Sequence, residues 1–217
     1  MKTVSVTGSS NGIGKAIIDL LQVTGYSVVE FDIDTDISIP LNRLSIVDQS
    51  RTSDIFINNA WSSEHPTSQN DMFSDILSEW NDDQTKHIIN MGSLMKYASM
   101  DPMDIHNAYR ISKKNLYKQT MTAHLDKNVK CKLSIAQPGF TETAFTEDFS
   151  DLGPMMKPSQ VADQILNIIE SEVQIVETRS KTRYIKAWKT FIKYITNTGY
   201  YHGHQYLTRK RRQTWRT

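Results

Sequence analysis

Tyr109 and Lys113 stand four residues apart in a run that reads as helix, so their side chains leave the same face. That spacing has a chemical use. A free phenol ionises near pH 10, too high for proton shuttling at neutral pH. An ammonium about 5 Å away favours the phenolate by about 3 kcal/mol at an effective dielectric near 20, roughly two pKa units. The tyrosine then moves towards the range useful in acid–base work. Ser93 follows the apolar strand-like run His87–Met91 and can donate a hydrogen bond to a substrate carbonyl. Taken alone, a Tyr-x-x-x-Lys pair is commonly surface decoration; its company gives it meaning.

That company begins at Thr7-Gly8-Ser9-Ser10-Asn11-Gly12-Ile13-Gly14. A β-branched run, Thr3-Val4-Ser5-Val6, precedes it, and Ala16, Ile17, Leu20 and Leu21 follow with helical spacing. The order is strand, tight glycine turn, helix, which leaves backbone N–H groups at a helix N-terminus where an anion is favoured. One glycine permits the turn, one lets the backbone approach a pyrophosphate, and one allows helix to pack on strand. A second strand, Ser27–Phe31, ends at Asp32, whose carboxylate is placed to accept hydrogen bonds from an adenosine ribose and to repel a 2′-phosphate. NAD(H) is therefore the expected cofactor, with NADP(H) the second option.

The elements that must position these groups alternate along the chain. Leu41, Leu44, Ile46 and Val47 make a loosely helical stretch, and Asp54-Ile55-Phe56-Ile57 reads as a buried strand ending in Asn58-Asn59-Ala60. The interval from Asp32 to Asn58 is short for two helix–strand units, so one crossover helix is expected to be reduced to a loop. Residues 61–71 read as a polar loop, 72–80 as an amphipathic helix, 103–126 as a long helix and 129–136 as a strand. Pro158 opens a last helix faced by Val161, Ile165, Ile168 and Ile169. The expected fold class is α/β, a Rossmann-like doubly wound parallel sheet flanked by helices in a single domain, residues 1–177, with a basic C-terminal extension, residues 178–217.

Over about residues 3–170 the chain resembles the short-chain dehydrogenase/reductase family. The resemblance rests on the Thr-Gly-x-x-x-Gly-x-Gly turn at 7–14, Asn58-Asn59-Ala60, Ser93, Tyr109-Arg110-Ile111-Ser112-Lys113, and Pro138-Gly139 with Thr143 beyond. It implies hydride exchange between a nicotinamide and a small carbonyl or alcohol. Tyr109 would be proton donor in reduction or base in oxidation, Lys113 would bind the nicotinamide ribose, and Ser93 would orient the substrate oxygen. Gly8, Ser10, Asn11, Gly12, Ile13 and Gly14 would hold the pyrophosphate, with Asn59 and Ala60 beside it. Pro138, Gly139 and Thr143 would lie along the nicotinamide and its phosphate, and Asp36-Ile37 beside the adenine. The chain departs from the family pattern at Trp61, where a glycine is usual, and Asn70 is the only near candidate for the family's relay asparagine. A homo-oligomer is the expected assembly.

Composition bounds the remainder. The 217 residues, 38% hydrophobic and 23% charged, suit one soluble globular domain rather than a disordered chain. No apolar run reaches membrane-spanning length. The first strand starts too early for a signal peptide, and Cys131 is the only cysteine, so a cytoplasmic setting is expected. Eleven of the 25 basic residues and none of the 24 acidic ones fall in 178–217, which sets +11 there against −10 before it. Tyr184, Ile185, Trp188, Phe191, Ile192 and Ile195 stripe that segment at helical spacing, a pattern that suits docking on the core or on a partner subunit. A nucleic-acid or membrane-surface contact is the less favoured reading. His202 and His204 lack further ligands, so no metal site is expected. The competing function is a catalytically weak nucleotide-binding protein whose basic C-terminus engages a partner, nucleic acid or a membrane surface.

Overall fold

The computed structural model describes residues 1–97, 106–147 and 155–171. The basic extension, and the start of the long helix expected at 103, lie outside the described residues. Among the described residues, five strands form one parallel sheet: β1 (Thr3–Thr7), β2 (Ser27–Phe31), β3 (Ile55–Asn58), β4 (His87–Met91) and β5 (Lys132–Ala136), in the order β2-β1-β3-β4-β5. Within the same described residues five α-helices connect or flank them: α1 (Gly12–Val23), α2 (Pro40–Ser50), α3 (Ser68–Trp80), α4 (Asn107–Leu125) and α5 (Pro158–Glu170). The chain runs from β1 outward to β2, then crosses back over β1 to β3. The switch point between β1 and β3 therefore opens a crevice at the carboxyl ends of the strands, where ligands bind in such sheets.

Because side chains alternate along a strand, each inner strand feeds two cores. Ile55, Ile57 and Ile89 pack under α1 and α5 with Ile17, Leu21, Val161 and Ile165. Phe56, Ile88, Leu133 and Ile135 pack under α2, α3 and α4 with Ile46, Phe73, Ile76, Trp80 and Leu116. Proline at the first helical position starts both α2 and α5, and Gly25 at φ 88° turns the chain into β2.

One expectation is extended and two change. Between β2 and β3 one helix is indeed reduced to a loop, as the short interval predicts, but the structure shows that a strand has gone with it. The helix α2, over the stretch marked by Leu41, Leu44, Ile46 and Val47, carries the crossover, and no strand lies between β2 and β3, so among the described residues β2 is the sheet edge. Relative to the usual 3-2-1-4-5-6 order, the outer strand 3 has gone together with one helix. Next, α3 begins at Ser68 rather than at Met72. Its first turn is polar but buried, held by bonds to β3, β4 and α4 instead of by an apolar stripe. Finally, β5 begins at Lys132; the amides of Lys130 and Cys131 instead donate to the Asn81 carbonyl.

His87, at the start of β4, is 6% exposed and its Nε2 lies 2.8 Å from Ser134 Oγ. Burial, with the positive charges of Lys132 and Lys2, pushes the imidazole down to about 4. The unfolded chain titrates near 6.5 and binds the extra proton first, so stability falls as pH drops through that window. The expected loss is about 2–3 kcal/mol between pH 7 and pH 4. Urea melts at several pH values should show it, and His87→Gln should flatten that part of the curve.

Candidate functional site

The glycine turn folds as its three roles require. Gly8 and Gly12 have φ of 69° and 55°, the left-handed region open to glycine. A Cβ at Gly14 would lie 1.8 Å from the Gly8 carbonyl oxygen, so hydrogen is the only side chain that lets α1 sit on β1. Asn59 braces the turn: its Nδ2 donates to the carbonyls of Thr7 and Gly8 at 3.0 and 3.1 Å. Thr7 Oγ1 accepts from the amides of Asn59 and Ala60 at 3.0 and 3.1 Å. Thr143, on the segment after β5, reaches across to Gly12, where a Cβ would meet its methyl at 3.1 Å.

The reacting groups meet at the other end of the same crevice. Ser93, 6% exposed, follows β4, and Tyr109 and Lys113 share a face in the first half of α4. The Ser93 hydroxyl lies close enough to the Tyr109 phenol to favour its ionised form. Lys113 Nζ stands 5.2 Å from the Tyr109 ring centre. The Lys113 side chain is 3% exposed, and burial pushes its ammonium down to about 7. Burial also pushes the Tyr109 phenol up to about 12, with the Ser93 hydroxyl opposing. This reverses the expected sign, because desolvation of the phenolate outweighs the field of a lysine that is itself drawn towards neutrality. The residue keeps partial exposure overall, but its hydroxyl end meets buried Ser93.

A cleft of about 650 Å³ joins the two ends. Gly8, Asn11, Gly12, Ile13, Asp32, Asp36, Ile37, Asn59 and Ala60 line one stretch of it, and Ser93, Tyr109, Lys113, Pro138, Gly139 and Thr143 another. Ser10 and Gly14 are absent from the wall.

No family model and no curated protein matches the sequence. Solved structures do match in shape. A 3-alpha-hydroxysteroid dehydrogenase from a Pseudomonas species, complexed with NADH, is 19% identical over 83% of this chain and 100% of its own, at a TM-score of 0.64. A short-chain dehydrogenase from Burkholderia cenocepacia, in complex with NADP, is 16% identical over 97% and 98%, at 0.69. A 3-ketoacyl-(acyl-carrier-protein) reductase from Brucella melitensis, complexed with NADH, is 16% identical over 82% and 96%, at 0.65. The fold is that of the short-chain dehydrogenases/reductases.

Within that short-chain dehydrogenase/reductase fold several residues take other partners than expected. Asp32 Oδ2 accepts from the Ser10 amide and from Ser9 Oγ, so one carboxylate oxygen clamps the glycine turn and the Ser10 amide is turned away from any anion. A ribose would be met by Oδ1. Both oxygens of Asp36 are engaged by Ser38, through its amide and its hydroxyl, each at 2.8 Å, and this holds the carboxyl below its usual range. Ile37 packs into the core beside α2, and its carbonyl accepts from Arg43 at 3.0 Å. The pair thus shapes the cleft wall with its functional atoms already committed.

Asn70 does not reach Lys113. It faces α4, accepting from Ser112 Oγ at 3.0 Å and donating to Gln119 Oε1 at 2.9 Å. Its neighbour Gln69 takes that place, accepting from Lys113 Nζ at 2.6 Å. Sequence reading missed it, since a polar residue in a stretch without apolar period gives no helical signal. Trp61 stands edge-on to Tyr109 with ring centres 4.9 Å apart, and to Phe145 at 5.5 Å. Its Nε1 is buried without a hydrogen-bond partner. The ring narrows the crevice before Tyr109, yet Tyr109, Ser93 and Lys113 all still line it. Among the described residues no cluster suits a metal ion, and no helix is long and apolar enough to cross a membrane.

Proposed function

We propose that this chain is a nicotinamide-dependent oxidoreductase of the short-chain dehydrogenase/reductase family, acting on a small carbonyl or alcohol compound and preferring NAD(H). The observation that carries the reading is convergence: a hydroxyl, a phenol and an ammonium from β4 and α4 line the same cleft as a glycine turn built to receive a pyrophosphate. Gly8, Asn11, Gly12 and Ile13 would hold the pyrophosphate, Asp32 the adenosine ribose, Lys113 the nicotinamide ribose, and Pro138, Gly139 and Thr143 the nicotinamide end. The bound nicotinamide would supply or accept the hydride. Ser93 Oγ donates to the substrate oxygen and fixes it beside Tyr109. In reduction the Tyr109 hydroxyl delivers its proton to that oxygen as the carbon is reduced, and in oxidation its phenolate receives it.

The charge pattern of the wall supports the NAD(H) preference. Asp32, Asp36 and Glu64 line the cleft, and Lys113 is the one lysine or arginine among its described lining residues. A 2′-phosphate would meet carboxylates without a compensating cation. NADH should bind at least about tenfold tighter than NADPH, a difference of about 1.4 kcal/mol. Asp32→Ser should shrink that ratio several-fold. Nicotinamide fluorescence titrations read both numbers, and equal affinities for the two cofactors in the parent protein would refute the preference. A carbonyl panel with the tighter cofactor then tests turnover, and light scattering tests the proposed homo-oligomer.

The Trp61 ring against Tyr109 favours a second reading, a nucleotide-binding shell without turnover. For hydride transfer the ring must yield room to the nicotinamide. Trp61→Gly would then leave turnover intact or raise it, whereas the shell reading expects binding without hydride transfer in either protein.

A further inference from the structure

Lys113 carries an ammonium into a site where no ion pair receives it among the described residues. Two acceptors do: Gln69 Oε1 at 2.6 Å and the Met91 carbonyl at 2.8 Å. Gln69 is fully buried in the first turn of α3. Its Nε2 donates to the carbonyls of Asn58 at 2.8 Å and Met91 at 3.1 Å, the last residues of β3 and β4. An amide group has one donor end and one acceptor end. With two backbone carbonyls claiming the donor end, the oxygen has only one direction left, towards Lys113. The Gln69 backbone is fixed as well, since its carbonyl accepts from Asn58 Nδ2 at 2.9 Å.

The network continues from Asn58 to Asn90 Oδ1 and from Asn90 Nδ2 to Thr120 Oγ1, each at 2.9 Å, so it returns to α4 two turns beyond Lys113. The same helix is therefore pinned at both points. Of the three ammonium hydrogens, two are consumed and one is left for the cleft.

We propose that Gln69 is the positioning residue of Lys113: its side-chain oxygen keeps the lysine charged in a buried site and aims its remaining hydrogen at the cofactor crevice. The proposal rests on the oxidoreductase reading only for what the third hydrogen meets. An acceptor held at hydrogen-bond distance favours the charged form against the desolvation that drives this lysine towards neutrality. Of the titratable groups that share the cleft wall with Lys113, Tyr109 on its own helix has its ring centre 5.2 Å from Nζ, and the others are Asp32, Asp36, Glu64 and His106; Gln69 brings a neutral amide from α3.

The test follows the lysine directly. In lysine-labelled protein, the side-chain NMR signal lost in Lys113→Met is titrated with pH. Gln69→Met, nearly isosteric but without the acceptor, should lower its midpoint by about one unit or more. Gln69→Glu, which keeps an acceptor oxygen and adds charge, should raise it. Thr120→Val cuts the far end of the network and should lower thermal stability without moving the midpoint. An unchanged midpoint in Gln69→Met, or one moved equally by Thr120→Val, overturns the proposal. Should Gln69→Met fail to fold, a midpoint in Gln69→Glu at or below that of the parent overturns it too. Since no substrate is needed, a parent protein that shows the shifts but transfers no hydride refutes the enzymatic reading and leaves the lysine assignment standing.

Discussion

Tyr109→Phe should lower kcat/KM for carbonyl reduction by about 10³-fold, equivalent to about 4 kcal/mol of transition-state stabilisation. Cofactor affinity should change less than threefold. The substitution removes one oxygen and keeps the ring that packs on Trp61 and Phe145, with centres 4.9 and 5.1 Å away. The wall of the cleft therefore survives while the proton donor does not. The direction of the phenol's shift adds a pH signature. With the group pushed up to about 12, it holds its proton at neutral pH, as a donor in reduction must. Reduction should thus be level across neutral pH and fall only on the alkaline side. Alcohol oxidation, which needs the phenolate, should climb with pH over the same range. A charged Lys113 paired with a bound ribose would pull both limbs to lower pH, so the pH profile of kcat at saturating cofactor should lie at lower pH than that of kcat/KM for the cofactor. Tyr109→Phe retaining a tenth or more of the parent activity would remove the tyrosine from the chemistry.

What could be read from the sequence was what short-range patterns encode. The turn at Gly8, Gly12 and Gly14 follows from φ and close approach, which depend on neighbouring residues. The Tyr109–Lys113 face follows from helical period, and the deficit between Asp32 and Asn58 from simple chain length. The missing helix was foreshadowed as a shortage of residues, but the loss of the outer strand with it was not, because that depended on how α2 packs Ile46 and Val47 into the core. Long-range partners were not legible. Ser10 and Asp32 lie 22 residues apart, and their bond arises only because β1 and β2 pair in parallel register, Thr7 beside Phe31. Gln69 looked like one polar residue among many until β3 and β4 supplied two carbonyls for its amide. The sign of the Tyr109 shift escaped for the same reason: Coulomb attraction can be estimated from a four-residue spacing, whereas desolvation depends on everything packed around the site.

Gly14→Ala should cost on the order of 3 kcal/mol or more, a drop of roughly 6–12 °C in Tm for a domain of this size. In an ordinary helix the same change would stabilise by about 1 kcal/mol, because alanine restricts the unfolded backbone. Here the sign inverts. The added carbon would sit 1.8 Å from the Gly8 carbonyl oxygen, a backbone atom that cannot rotate aside. Gly8 is itself held by its amide bond to the Phe31 carbonyl at 2.8 Å and by Asn59 on its own oxygen. Relief must therefore come from α1 lifting away from β1. That movement separates Ile17, Ile18 and Leu21 from Val4 and Val6 and disturbs the α1–α5 contact at Val161 and Ile165. It also withdraws the helix N-terminus from the cleft, so nicotinamide binding should weaken by tenfold or more even where the variant stays folded. Gly25→Ala supplies the contrast: a Cβ there meets nothing within 4 Å, and only the φ of 88° is penalised, so about 1 kcal/mol is expected with no change in cofactor affinity. A Gly14→Ala protein as stable as the parent would mean that α1 is not seated on β1 through this glycine, and the anion-binding role of the turn would lose its geometric basis.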